Sequence, residues 1–118
     1  MENSDKEKIE RIIKTRKKAH SFYSGKSKVY ESFVEMEHRT YKDSKLSKLQ
    51  KELIAIGISV VIDCESCMEW HINQALHDGA SEDEIIESIE VGIEMGGGPA
   101  TASARFAMNV LEYYRTSK

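Results

Sequence analysis

Proline occurs once and glycine seven times in 118 residues. Such sparing use of both argues against a disordered or low-complexity chain. No apolar run reaches the roughly 20 residues that a membrane-spanning helix needs. The longest, "LIAIGISVVI", covers residues 53–62. The opening "MENSDKEKIE" is charged where a secretory signal would carry an apolar stretch. Nor is there an excess of basic charge: 17 Lys and Arg stand against 20 Asp and Glu, the net charge is −3, and the pI is near 5.8. No nucleic-acid partner and no membrane partner is therefore expected. The expected location is the cytoplasm, where thiols are kept reduced. Cysteine is scarce as well, with two in the chain.

What is present is a helical pattern. With 40% hydrophobic residues the chain has the composition of a globular protein, and its length fits one domain over residues 1–118. Ile9, Ile12, Ile13, Ala19, Phe22 and Tyr23 form an i, i+3, i+4 stripe on a first helix, which "SGKSK" at 24–28 interrupts. Tyr30, Phe33, Val34 and Tyr41 mark a second helix, and "DSKLS" at 43–47 is the next connection. This divides the domain into N-terminal helices, 1–45, and a core, 46–118. Leu46, Leu49, Leu53, Ile56 and Val60 favour a helix over a strand in the apolar run, although the β-branched Val60–Ile62 cluster sits awkwardly at its end. Asp63 is the expected N-cap of a helix from Cys64 to Asp78, with Gly79 just past its end. "SEDE" at 81–84 has the form of a capping box and opens a helix that "GGGP" at 96–99 closes. Pro99 suits the first position of a last helix. The expected fold class is all-α, with about six helices and short connections between antiparallel neighbours.

The two cysteines lie three apart in "DCESCMEWH", residues 63–71. As a staple such a pair would close a tiny loop and constrain the unfolded chain little. In the first turn of a helix, however, both thiols meet orphan N–H groups and the positive end of the helix dipole, which favour a thiolate. Asp63 and Glu65 work against this, since nearby negative charge disfavours a second anion. His71 follows Cys67 by four residues and shares its helical face. Glu52 lies ~16 Å of helix before the turn at Asp63, and His71 ~12 Å after it. In a helical hairpin the two come to nearly the same level. A carboxylate bonded to an imidazole fixes its tautomer and raises its basicity, and the imidazole could then take a cysteine proton.

Residues 51–100, "KELIAIGISVVIDCESCMEWHINQALHDGASEDEIIESIEVGIEMGGGPA", resemble the AhpD-like (alkylhydroperoxidase D-like) branch of the carboxymuconolactone decarboxylase family. The likeness rests on Glu52 twelve residues before Cys64, the CxxC, His71, "DGAS" at 78–81, the acidic "EDEI" and the Gly-rich "MGGGPA". It implies an all-α fold assembled as a homo-trimer or homo-hexamer, and a thiol-based peroxidase or disulfide reductase that needs no bound cofactor. By position, Cys67 would be the peroxidatic thiol and Cys64 the resolving one, closing a disulfide, with Glu52 and His71 as proton relay. The substrate would be a peroxide or a disulfide. An external dithiol, lipoyl or thioredoxin-like, would regenerate the enzyme. One position departs from the alkylhydroperoxidase D pattern, which often has a histidine just before the second cysteine: here that residue is Ser66. A hydroxyl cannot share an imidazole's proton work near neutral pH, which weighs toward dithiol cycling rather than efficient peroxidase chemistry. Decarboxylase members lack the cysteine pair, so lactone decarboxylation is not expected.

Two blander readings stand beside this one. Cys64, Cys67 and His71 supply three ligands of a kind that zinc accepts, but His77 is ~15 Å from Cys67 along the helix, so a fourth ligand would come from elsewhere. The cysteines could also be buried and inert. "GGGP" lacks the surroundings of a phosphate loop and is read as a close helix–helix connection. "KTRKKAH" at 14–20 is read as a solvated helix face, and Tyr30, Phe33, Met36, Tyr113 and Tyr114 as core or subunit-interface residues.

Overall fold

Residues 1–116 are described by a computed structural model of the chain. It contains α1 (Asn3–Tyr23), α2 (Lys28–Thr40), α3 (Lys48–Val61), α4 (Glu65–His77), α5 (Glu82–Gly96) and α6 (Gly98–Thr116). The all-α, six-helix expectation holds, and among the described residues there is no strand. No helix among them is long and apolar enough to cross a membrane.

The connections follow from their cap chemistry. Ser47 and Ser81 each accept a backbone N–H three residues on, and Gln50 and Glu84 reach back to the cap N–H, so α3 and α5 both open with a complete capping box. α4 ends as its sequence predicts: Gly79, at φ 97°, lets Ala80 N–H donate to Ala75 O and Gly79 N–H to Leu76 O. α3 ends with the same paired bonds. Cys64 N–H donates to Ser59 O and Asp63 N–H to Val60 O, with Asp63 in the left-handed position at φ 54°. This corrects the expected cap of α4. Asp63 finishes α3, and Cys64 is the N-cap of the next helix. The β-branched cluster does not stop α3, because Val60 is fully buried and packing outweighs its modest helix propensity. At the other end of the chain, α6 begins one residue before Pro99, at Gly98. Gly97 closes α5 at φ 73°, ψ −154°, a conformation open essentially to glycine alone.

α3 is the central helix and packs mainly on α5 and α4, while α6 lies against both of the latter. Ile56 and Val60 of α3, Met68 and Ile72 of α4, Ile85 and Ile89 of α5, and Ala107 and Val110 of α6 form the water-free centre. α3 and α5 approach closely at Gly57 and Gly92, where a Cβ on Gly92 would stand 2.7 Å from Gly57 O and 2.9 Å from Val60 Cβ.

α1 lies over α4 and α6 and buries Ile9 completely. It is held there by a polar clamp. Glu69 of α4, 1% exposed, accepts from the Arg16 guanidinium on one oxygen and from the Tyr114 hydroxyl on the other. A buried carboxylate would be costly without such partners. Arg16 also stacks over Trp70, 5.1 Å from its ring centroid. The reading of residues 14–20 as wholly solvated therefore fails at Arg16. α2 is different in kind: it lies along none of the other helices and has no buried residue. Phe33 and Met36 are 57% and 55% exposed, so neither belongs to the core of this chain.

Burial, with the neighbouring Tyr113, pushes the Tyr114 phenol up to about 12 against the counter-pull of Arg16. The folded chain thus keeps a proton that the unfolded chain releases above pH ~10. This contribution to stability is complete below that pH and is lost as pH rises toward about 12. The urea midpoint should therefore fall between pH 10 and 12, and Tyr114→Phe should flatten part of that fall. An unchanged slope in the variant would remove Tyr114 from the alkaline transition.

Candidate active site

Cys64 and Cys67 meet at the start of α4, and the turn just described puts them there. As N-cap, Cys64 points its Sγ back into the first turn, where it accepts the Cys67 N–H at 3.2 Å. The two side chains are joined as a disulfide, with Cα atoms 5.2 Å apart. That separation is within the usual range for a disulfide. Both residues are partly exposed.

Each of the two acidic neighbours set against a thiolate has a partner. Asp63 accepts the Ser103 hydroxyl at 2.8 Å, from α6. Glu65 is bridged by Lys8 of α1 at 2.8 Å, and the same ammonium lies 4.9 Å from the Phe106 ring centroid. Their charge is thus partly compensated next to the thiols, although the Lys8–Glu65 pair is exposed and correspondingly weak.

One turn after Cys67, His71 Nδ1 lies 2.5 Å from Glu52 Oε1. The hairpin of α3 and α4 brings the two to one level, as their spacing predicts. Glu52 is 1% exposed and His71 8%. The solvated Glu52 that would be expected of the residue alone is not what the fold makes. With the carboxylate on Nδ1, that nitrogen is the donor, and Nε2 is left with its lone pair for another proton.

Two residues around this pair escape the sequence reading. Lys48, one turn before Glu52 on α3, places its Nζ 3.1 Å from Glu52 Oε2, 2.6 Å from Asp78 Oδ2 and 3.3 Å from Gln74 Oε1. The i, i+4 spacing of Lys48 and Glu52 was the available signal. Burial works against the ammonium, but the hydrogen bonds to Asp78 and Glu52 outweigh it and hold Lys48 above the usual lysine range. Tyr41, the C-cap of α2, tilts over His71 with ring centroids 5.0 Å apart. Burial first, then the charges of Glu52 and Glu37, push its phenol up. Nothing in the local sequence pairs Tyr41 with His71.

His77 hydrogen-bonds the Asn73 carbonyl of its own helix, and His20 bonds Tyr30 on the N-terminal arm. Neither joins the site. Among the described residues, no three His, Cys, Asp or Glu side chains cluster as a metal-binding group. "GGGP" is the close connection expected of it: a Cβ on Gly96 would stand 2.7 Å from Ala100 Cβ.

The chain is thus all-α, with a disulfide-bonded CxxC at a helix start and a buried carboxylate–imidazole pair one turn on. Residues 27–109 match the carboxymuconolactone decarboxylase family, and the chain belongs to that family. It is 35% identical over 82 residues to uncharacterized protein 4 in the cox locus of Paracoccus denitrificans, covering 70% of this chain and 74% of that one. It is 33% identical over 70 residues to the alkyl hydroperoxide reductase AhpD of Anaeromyxobacter dehalogenans, covering 52% of this chain but 38% of AhpD. A carboxymuconolactone decarboxylase family protein from Thermotoga maritima, described in connection with an antioxidative response, superposes with a TM-score of 0.83. Its identity to this chain is 25%, over 90% of this chain and 91% of that one.

Proposed function

We propose that the chain is a thiol-based oxidoreductase that reduces a hydroperoxide at Cys67. The observation that carries this reading is the placement of the CxxC one turn from the 2.5 Å Glu52–His71 pair. The likeness to AhpD supports it. In the reduced chain, His71 Nε2 takes the Cys67 proton while Glu52 steadies the imidazolium. The Cys67 thiolate attacks the terminal peroxide oxygen, the O–O bond breaks, and the alkoxide leaves with the proton from His71. Cys67 is now a sulfenic acid. Cys64 attacks its sulfur, the Cys64 thiol proton goes to the displaced hydroxyl so that water departs, and the disulfide seen here forms. An external dithiol restores both thiols by exchange and is itself oxidised to a disulfide.

A second reading has its own observation. Cys64, not Cys67, receives a backbone N–H at the helix cap, and such a bond favours a thiolate. Cys64 would then be the nucleophile of a disulfide reductase, a reaction that needs no histidine at Ser66.

Single-cysteine variants separate the two. If Cys67 is peroxidatic, Cys64→Ser should still react with one equivalent of peroxide and yield a sulfenic acid that a dimedone tag traps, whereas Cys67→Ser should not. If Cys64 is the exchange nucleophile, Cys67→Ser should trap a mixed disulfide with a small disulfide substrate. Intact mass reads both outcomes. The relay is tested separately. Glu52→Gln and His71→Ala should each slow thiol oxidation near neutral pH by about 10²-fold or more, with helical content retained. Rates within twofold of the parent would remove both residues from the chemistry.

The assembly inferred for the chain is a homo-oligomer. Val29, Phe33 and Met36 form an apolar stripe on α2, at spacing that suits docking of a helix into a groove, and Val29 is 83% exposed. An apolar groove of about 490 Å³ runs between α3 and α5, floored by Gly57 and Gly92 and walled by Ile54, Ile58, Val91 and Met95. α1, which precedes α2 in the chain, carries exposed Lys14, Lys17 and Lys18, and α5, one wall of the groove, carries exposed Glu87, Glu90 and Glu94. A second copy offers to each surface what its own chain leaves open, and a head-to-tail contact of this kind makes a ring when its rotation closes. Light scattering should give a multiple of the 13.4 kDa chain mass. Phe33→Glu and Ile58→Glu should each reduce it, and a monomeric parent would end this reading.

A further inference from the structure

Lys48 has no role in the steps above, yet it is the cation on the second oxygen of the buried carboxylate. Glu52 Oε1 is taken by His71 Nδ1 and Oε2 by Lys48 Nζ. Asp78, at the end of α4, holds the same ammonium from the solvent side at 2.6 Å, and Gln74 accepts from it at 3.3 Å. The result is a continuous line from the surface inward: Asp78, Lys48, Glu52, His71. Lys48 is the pivot of that line, with a side chain 30% exposed between Asp78 at 28% and Glu52 at 2%.

We infer that Lys48 is a positioning residue for the proton relay, and that the Lys48–Asp78 ion pair sets the pH at which the Glu52–His71 pair becomes able to accept a thiol proton. This rests on the relay reading given above. The physical argument concerns charge and sign. Glu52 and His71 share one short contact, so a nearby charge acts on the pair rather than on either member. The charged and titratable groups facing it are Lys48 from α3, Asp78 at the end of α4, Tyr41 at the end of α2, and the two cysteines at the start of α4. A proton added to the pair adds positive charge. Lys48 opposes that addition, which keeps the imidazole neutral and its Nε2 available at lower pH. Asp78 offsets part of the ammonium's field. The two residues therefore act in opposite directions. A salt bridge that only fastens α3 to the end of α4 has no such signature.

The position of the ammonium also fixes geometry. An unpartnered Oε2 would let the carboxylate rotate about its terminal torsion, which is broad for Glu. With Lys48 in place, Oε1 stays on Nδ1, and the imidazole keeps the tautomer in which Nε2 is the base.

The experiment uses the full-length protein and two readouts. The first is the imidazole resonances of His71, assigned by comparison with His71→Ala and followed against pH. The second is the rate of thiol oxidation by hydrogen peroxide against pH. In Lys48→Met the His71 titration should move upward by about half to one pH unit, and the acid limb of the rate profile should move with it. This is about a three- to tenfold loss of rate on that limb. Lys48→Arg should restore both. Asp78→Asn should move both downward, by a smaller step. Titration and rate limb unmoved in both Lys48→Met and Asp78→Asn, or both moved in the same direction by the two variants, would overturn the assignment even if melting temperatures fall. The NMR arm does not depend on peroxidase activity. A parent that is inert to peroxide would overturn the proposed function, while opposite displacements of the His71 titration would still assign Lys48 its place.

Discussion

A carboxylate in a water-free helix interface is tolerated only when its oxygens are occupied, and Glu52 is held on both. His71 and Lys48 take one oxygen each. The cost of burying the charge is several kcal/mol before pairing, so the rest of the site must keep those partners in place. This requirement explains the tight α3–α4 hairpin. His71 reaches Glu52 because α3 ends at Val61 and reverses within three residues. A looser turn would leave the imidazole at the wrong height. The same reversal delivers Cys64 to the cap of α4 and Cys67 to its first turn. The carboxylate–imidazole pair and the disulfide therefore depend on one local event, the left-handed residue at Asp63.

The choice of aspartate at that position joins backbone and site. Glycine would take the conformation with less strain, as Gly79 does at the equivalent place after α4. Asp63 accepts the strain and gains a bond to Ser103, which ties the turn to α6. Glu65 is tied to α1 through Lys8 in the same way. Thus the two acidic residues beside the cysteines also dock the flanking helices. Their side chains face partners outside α4, so the charge that reaches the thiols is smaller than the sequence implies.

Much of this architecture was legible before any coordinates. The helix count, both capping boxes, Gly79 and the level at which Glu52 meets His71 follow from patterns that local physics enforces: 3.6-residue periodicity, cap chemistry and a fixed rise per residue. What escaped depends on contacts between elements far apart in sequence. Arg16 looks like one more charge in "KTRKKAH" until Glu69, 53 residues away, is seen to need a cation. Tyr41 looks like the last apolar residue of α2 until its ring is found over His71. The cap of α4 was misplaced by one residue because Asp is the better N-cap on average. Here the end of α3 needed a left-handed residue first, and aspartate tolerates that conformation better than cysteine. Phe33 and Met36 carried a helical stripe and so read as core or interface. The fold excludes the core, since α2 buries none of its residues.

α4 takes part in two buried carboxylate networks, one at its own Glu69 and one at Glu52 of α3, and they differ in their partners. Glu69 is closed off by Arg16 and Tyr114, groups that hold their protons through the neutral range, with Tyr114 pushed up to about 12. Such a network holds α1 and α6 on α4. Glu52 has as its partner the one side chain whose ordinary titration falls near neutrality. Behind it, Lys48 reaches toward solvent and Asp78. Similar burial thus yields a clamp at Glu69 and, at Glu52, the pair proposed above as a proton relay. The difference lies in which partner each carboxylate was given and in whether that partner leads out to water.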